Sequence, residues 1–301
     1  MKNLYKKIYS RFRKHRKEEL VKHVTAIAKN VVVKELLEQK FLSNSESLLN
    51  DHPREQKLVV SLTTFDKRVR SVYLPLESIA QQTFKPDEIV LWLDQEKFNN
   101  ENLPVSLERM KKRGLKVRYC RDHGPHTKLI HALQDYPDDL IITIDDDHIY
   151  PMDMIENLMM AHKKHPGTIC CNVARRIIKN DKDEYLPYAK WDRVHSTEYR
   201  SSELLPLGVH GVLYFPGCFD PEVLNIGNMK KLAPKADDIW YKAMHIKNNV
   251  KCIVTGAYPN FKSQFTTLES AHVDALYQDN VKNDHNVKQL KDVFEYYGLT
   301  I

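Results

Sequence analysis

The segment Ile141-Ile142-Thr143-Ile144-Asp145-Asp146-Asp147 runs an apolar stretch straight into three consecutive carboxylates. Leu140 to Ile144 is β-rich and apolar at successive positions, so it reads as a strand buried on both faces. Three acids at its carboxyl end repel one another unless a cation sits among them. Open α/β sheets bind their ligands at that end of their strands. Asp145 and Asp147 are two apart, so in extended chain they point the same way and can share one ion. Hard oxygen ligands favour Mg2+ or Mn2+, which keep positions open for substrate phosphates. The chemistry predicted is a metal–diphosphate site, with a solvated acidic turn as the alternative.

Other residue types fit around such a site. Asp237 and Asp238 precede Ile239, Trp240, Ala243, Met244 and Ile246, a helical apolar pattern. Acids at a helix start also cap it and favour its dipole, which would by itself explain the pair. Lys128, in Gly124-Pro125-His126-Thr127-Lys128, stands at a loop-to-helix start beside the expected diphosphate, where it could neutralise phosphate charge. Thr63 and Thr64 close one predicted strand and Asp94 ends another. The threonine hydroxyls are candidate ligands at that edge, and Asp94 is either a ligand there or a simple turn acid. Among fourteen histidines, His210 in the Gly208 to Gly211 segment is a further candidate to face a ligand. Trp191, in an aromatic-rich stretch, is either a stacking platform for a ligand ring or a core tryptophan.

The elements that must position these residues alternate. Leu58 to Thr63 reads as a strand, Val69 to Gln82 as a helix with Pro75 near its first turns, and Glu88 to Leu93 as a second strand. Leu103 to Arg113 is a helix ended by Gly114, Leu115 to Tyr119 a third strand, and a helix begins at His126 before the Leu140 strand. Alternation at this pitch implies βαβ units and a mostly parallel sheet. A polar stretch after Phe41, and then Asp51-His52-Pro53, reads as a linker. It divides the chain into an N-terminal helical extension, 1–55, and a body, 56–301.

With 301 residues, 42% hydrophobic and 29% charged, the chain has the material for one sizeable core plus an appendage. No apolar stretch approaches the roughly 18 to 20 residues needed to span a bilayer, and no signal-peptide pattern is evident. Five cysteines without CxxC spacing suit reduced thiols rather than disulfides or a zinc site. The net charge of +6 is local. Lys2, Lys6, Lys7, Arg11, Arg13, Lys14, Arg16 and Lys17 form a run without an acid, and those eight outweigh the total. Leu4, Tyr5, Ile8, Tyr9 and Phe12 lay an apolar stripe between them. This is the pattern of a helix on an anionic membrane surface, and the expected location is the cytoplasm at the inner face of the membrane. Leu20, Val24, Ile27 and Val31 continue the apolar face. The body has no second basic patch interleaved with aromatics, which argues against nucleic acid as a partner.

Several blocks in order carry a family resemblance. Val59-Val60-Ser61-Leu62-Thr63-Thr64, Leu76-Glu77-Ser78-Ile79-Ala80-Gln81-Gln82-Thr83 and Pro86-Asp87-Glu88-Ile89-Val90-Leu91-Trp92-Leu93 come first. Gly211-Val212-Leu213-Tyr214-Phe215-Pro216 and Ala236-Asp237-Asp238-Ile239-Trp240 follow the acidic triplet. Together they resemble family-2-like glycosyltransferases of the bacterial capsule and lipopolysaccharide type, over roughly residues 57 to 256. The resemblance implies a GT-A fold: α/β, Rossmann-like, a mostly parallel central sheet flanked by helices. It implies transfer of a sugar from a nucleotide-sugar, with a UDP-sugar the expected donor, to a glycan or lipid-linked acceptor. Asp145 and Asp147 would hold Mn2+ or Mg2+, with His272 a candidate third ligand. Thr63, Thr64, Asp94, Lys128, Asp145 and Asp146 would line the nucleotide-sugar. Trp191, His210 and Gly211 would face the acceptor. Inversion is the implied outcome, with Asp238 as general base and Asp237 orienting it or the acceptor. Metal-dependent phosphoryl transfer is the competing class, although Ser61-Leu62-Thr63-Thr64-Phe65 lacks the glycines of a phosphate loop. A non-catalytic, membrane-recruited scaffold is the third.

Overall fold

The computed structural model describes residues 2–52, 54–268 and 284–301, without the side chains of residues 2–16, 18, 19, 22, 23 and 26. The chain forms two compact units, Met1–Asn44 and Ser45–Ile301. The first is one helix, α1 (Lys2–Ser43). The polar stretch that follows belongs with the body rather than with the helix. Leu48 is fully buried there, and its N–H donates to the Arg113 carbonyl at 2.9 Å.

The body is built on an eight-stranded sheet. Four parallel strands form one side: β1 (Leu58–Thr63), β2 (Glu88–Asp94), β3 (Leu115–Cys120) and β4 (Leu140–Thr143). Between them run α2 (Tyr73–Ala80), α3 (Val105–Lys112) and α4 (Thr127–Asp135). Next come β5 (His148–Ile149), α5 (Met154–Lys164), β6 (Ile169–Cys171), β7 (Ala174–Arg176), β8 (Asp192–Val194), β9 (Tyr199–Ser201), β10 (Leu204–Pro206) and β11 (Val212–Tyr214). The described chain closes with α6 (Ile226–Leu232), α7 (Asp237–Lys247), β12 (Cys252–Val254), α8 (Phe261–Gln264), β13 (Thr266–Thr267) and α9 (His285–Tyr297). The main sheet has the order β3-β2-β1-β4-β11-β6-β12-β9, with β11 antiparallel to both its neighbours.

Hydrophobic burial explains the centre of this sheet. Every residue of β4 and all but the last of β1 are buried, as expected of strands covered on both faces. The chain leaves β1 toward β2 and β3, then returns to place β4 on the other side of β1. That reversal is a topological switch point, and it opens a crevice at the carboxyl ends of β1 and β4. Two small sheets, β10-β7-β8 and β13-β5, lie outside the main one.

One expected helix divides. Val69 to Gln82 is a 3-10 turn, Asp66–Arg70, followed by α2 from Tyr73. Pro75 then falls in the first turn of α2, where its missing N–H costs nothing. On this helix Glu77 is fully buried, and its carboxylate pairs with the Arg113 guanidinium at 2.5 Å.

Candidate active site

The crevice at the switch point is lined with carboxylates. Strand β4 stops at Thr143, and Asp146 and Asp147 lie in a turn rather than in extended chain. The alternation argument for Asp145 and Asp147 therefore does not apply: Asp145 goes to one cation, while Asp146 and Asp147 share another. Asp145 accepts from the Lys128 ammonium at 2.6 Å. Asp146 is buried, accepts from the Thr64 hydroxyl, and receives Arg68 Nη1 at 2.9 Å. Asp147 takes the same Nη1 at 3.0 Å and the His148 ring Nδ1 at 2.6 Å. The turn is pinned from behind as well. The Tyr150 hydroxyl accepts from the Asp145 N–H at 2.8 Å and donates to the Val209 carbonyl at 3.1 Å, while the Leu268 N–H donates to the Asp147 carbonyl at 2.8 Å.

The first turn of α7 brings the second acidic pair to the same place. The Lys128 ammonium, 2.6 Å from Asp145, also stands 3.0 Å from Asp237 Oδ2, an ion-pair contact without hydrogen-bond alignment. Asp238 Oδ1 accepts from the Gly208 N–H at 3.0 Å. The approach is close: a Cβ on residue 208 would sit 3.0 Å from Asp238 Oδ1 and 3.2 Å from Lys128 Nζ, so those side-chain ends would have to give way slightly. One buried lysine thus joins the acidic turn after β4 to the acidic start of α7, although the two are about ninety residues apart in sequence.

Electrostatics follow from this crowding. Burial, reinforced by the neighbouring Asp237 charge, holds the Asp238 carboxyl well above the usual range, although part of the side chain remains open to the crevice. Burial pushes Asp146 up to about 6, against the pull of Arg68. At Asp147 burial is outweighed by the His148 hydrogen bond and the charges around it, so its carboxyl is lowered. Burial alone would depress the Lys128 ammonium, but Asp145, Asp237 and Asp238 hold it well above its ordinary value.

The remaining expected site residues separate into two groups. Thr64 is in the crevice through Asp146, and Thr63 ties the end of β1 to β2 by donating to the Trp92 carbonyl at 3.0 Å. Asp94 stands at the carboxyl end of β2 and caps its own turn, accepting from the Glu96 N–H at 3.0 Å. His210 is 9% exposed and its ring lies 5.9 Å from His148, with Phe265 at 5.0 Å. Trp191 is a core residue: 2% exposed, packed 5.1 Å from Tyr188, its indole N–H donating to the Leu186 carbonyl. That leaves almost no ring surface for an acceptor sugar, so the platform reading gives way to the core one. Gly211 is also buried and serves the backbone: its φ is +86°, and a Cβ there would meet Met154 Sδ at 2.7 Å. His272 lies outside the described residues.

Three members of the site were missed in the sequence. Arg68 carried a signal, since Asp66-Lys67-Arg68 is a charged turn directly after a strand that ends at the crevice. Gly208 and Tyr150 carried none, because their roles depend on contacts distant in sequence.

The donor set is suited to a divalent ion. Among the described residues, Asp145, Asp146, Asp147, Asp237 and Asp238 have two permanent cations beside them, Lys128 and Arg68. Their oxygens are the hard ligands that Mn2+ and Mg2+ select. Among the described residues no three His, Cys, Asp or Glu side chains are already grouped around one metal position. The remaining ligands of such an ion would then come from a diphosphate and water.

Residues 71–214 match the family model of glycosyl transferase family 2. The match covers a little under half of the chain and falls within the mostly parallel α/β sheet, so over that stretch the chain is similar to family-2 glycosyltransferases. Among solved structures, TarS 1–349 from S. aureus is 14% identical with a TM-score of 0.46, over 80% of this chain and 72% of that one. The mannosyltransferase PcManGT from Pyrobaculum calidifontis, in complex with GDP-Man and Mn2+, is 15% identical with a TM-score of 0.31. That pairing covers 53% of this chain and 46% of the mannosyltransferase, so the chain spans about half the length of that relative. A CMP:2-keto-3-deoxy-manno-octonic acid synthetase complexed with CTP is 12% identical with a TM-score of 0.38, over 66% and 89% of the two chains. These likenesses are too distant to transfer a function. No curated protein matches the chain.

Proposed function

We propose that the protein transfers a sugar from a UDP-sugar to a hydroxyl of a glycan or lipid-linked acceptor, with inversion at the anomeric carbon. The observation that carries this reading is the pair of acidic clusters joined by Lys128: a diphosphate-side cluster after β4 and an acceptor-side pair at the start of α7. Single displacement needs such an arrangement, with the leaving group stabilised on one face of the sugar and a base on the other.

Asp238 takes the acceptor proton. Its raised proton affinity makes it a stronger base than an ordinary carboxylate, and the Gly208 N–H fixes the direction of the oxygen that accepts. Asp237 and Lys128 hold the first turn of α7 against the diphosphate side. Thr63, Thr64 and Asp94 are assigned to the nucleoside in this reading, supported by their position at the carboxyl ends of β1 and β2. Asp145 and Asp147 are the residues to hold Mn2+ or Mg2+, whose charge would neutralise the departing diphosphate. His210, beside His148, remains a candidate for the sugar side of the crevice, and His272 for a third metal ligand.

The basic N-terminus supports attachment to the inner face of the membrane, where a lipid-linked acceptor would be met. Each cation near an anionic leaflet contributes about 1 kcal/mol, so several suffice for reversible binding. A role in cell-surface polysaccharide synthesis fits that placement.

The test is donor turnover with a panel of UDP-sugars and Mn2+, with and without excess EDTA. Release of UDP and free sugar that EDTA abolishes is the expected result. Full activity in EDTA refutes the metal reading. UMP as the nucleotide product would instead assign phosphoryl transfer.

A further inference from the structure

Arg68 stands where a basic group is costly unless it has a task. Its side chain is 12% exposed, and Nη1 bridges Asp146 Oδ1 at 2.9 Å and Asp147 Oδ2 at 3.0 Å. The guanidinium carbon lies 4.9 Å over the Phe65 ring, which supports it from the other side. The turn that delivers it begins with Asp66 at φ +46°, a left-handed conformation that a non-glycine residue adopts only when its surroundings impose it. Yet the fork is only partly used: Nε is buried without a hydrogen-bond partner. Paired bidentately with two carboxylates a guanidinium uses four of its five N–H donors, whereas here Nη1 alone makes both contacts.

We infer that Arg68 is a displaceable counter-ion, which covers Asp147 until a nucleotide-bound divalent ion arrives and then turns its free donors to the diphosphate. This rests on the metal-assisted reading above and adds to it a residue that couples ion binding to donor binding. The physical reason is charge. Any ion that takes Asp147 lies within a few ångströms of the guanidinium, and two cations at that distance repel strongly in a partly buried crevice. Arg68 must then leave, and the nearest new anion is the diphosphate that came with the ion. A guanidinium fork matches phosphate oxygens in geometry as well as charge. An ion without nucleotide offers the displaced arginine nothing, so ion alone binds weakly and ion with nucleotide binds well.

The experiment is calorimetric titration of the full-length protein with Mn2+, first alone and then in saturating UDP, for wild type, Arg68→Met and Arg68→Lys. No turnover is involved. Wild type is expected to bind Mn2+ much more tightly with UDP than without. Arg68→Met keeps the apolar stem against Phe65 and removes the charge. It is expected to bind Mn2+ alone about tenfold more tightly or better, and to lose most of the gain from UDP. Arg68→Lys keeps a point charge without the fork and is expected to fall between the two, which keeps the test open if Arg68→Met folds poorly. A purely structural arginine would lower the melting temperature and leave both Mn2+ affinities in the variants as in wild type; that result overturns the inference. Absence of Mn2+ binding to wild type even with UDP would instead remove the metal reading, and this inference with it.

Discussion

At the residue scale, the site is a problem of charge packed close. Asp238 keeps its proton affinity high because burial and Asp237 both penalise a second negative charge, while Lys128 limits that effect. A base so tuned predicts a specific failure. Asp238→Asn is nearly isosteric and still accepts from the Gly208 N–H, but it cannot take a proton. Turnover is expected to fall by roughly 10² to 10⁴-fold with UDP binding largely retained. Steady-state kinetics beside UDP titration checks this, and equal losses in both would point to a collapsed site. Residual product should show, by proton NMR, a linkage inverted relative to the α-linked donor. A retained configuration would remove the role proposed for Asp238.

At the element scale, two pieces make separable predictions. The Gly208–His210 turn leads into Gly211, whose φ of +86° and contact with Met154 leave no room for a side chain. Gly211→Ala is expected to cost about 1–3 kcal/mol, read as a lowered melting temperature, because the backbone must leave a region that L residues avoid. An unchanged melt would mean that the turn relaxes freely. Helix α1 is the other piece. Leu20, Val24, Ile27 and Val31 are each more than half exposed, so its apolar face continues beyond the basic segment. No described helix is long and apolar enough to cross a membrane. Removing residues 1–17 is expected to abolish sedimentation with anionic liposomes while soluble donor hydrolysis continues. Equal sedimentation by the shortened chain would assign membrane contact elsewhere or nowhere.

At the scale of the whole molecule, the buried histidines set a pH dependence. Burial holds His126 and His210 below the ordinary value, His210 at about 3, and His245 well below it. Each ring is harder to protonate folded than unfolded. Its contribution is therefore fully present above the unfolded value near 6.5 and is lost as pH falls toward the folded one. Asp146 works the other way. With its carboxyl raised to about 6, its contribution is present below the ordinary 3.8 and is lost as pH rises through 6. These rings pull the melting temperature down as pH falls from 7 to 5, opposed by Asp146 and by Asp238, whose carboxyl is raised as well, so the drop should be steeper in Asp146→Asn than in wild type. A flat profile by calorimetry would show that these rings find proton-accepting partners on protonation.

The sequence by itself determined the sheet and its acidic edge. Runs such as Val59-Val60 and Ile141-Ile142 bury on both faces whatever lies around them, so the strands and their order of alternation were legible from local pattern. The positions of Asp145, Asp237 and Asp238 followed from the ends of those elements. What local pattern does not contain is which distant groups meet. That Lys128 bridges Asp145 and Asp237 depends on α4 and α7 converging on the switch point. Whether Trp191 faces a substrate or the core depends on Tyr188 and Leu186 closing over it. The acidic triplet shows the limit most directly. Read as extended chain it offers two carboxylates to one side, but the strand ends at Thr143, Lys128 takes Asp145, Arg68 spans Asp146 and Asp147, and His148 adds a second partner to Asp147. Only the tertiary structure decided that distribution, because Coulomb energy between charged groups depends on their separation in space and not on their spacing along the chain.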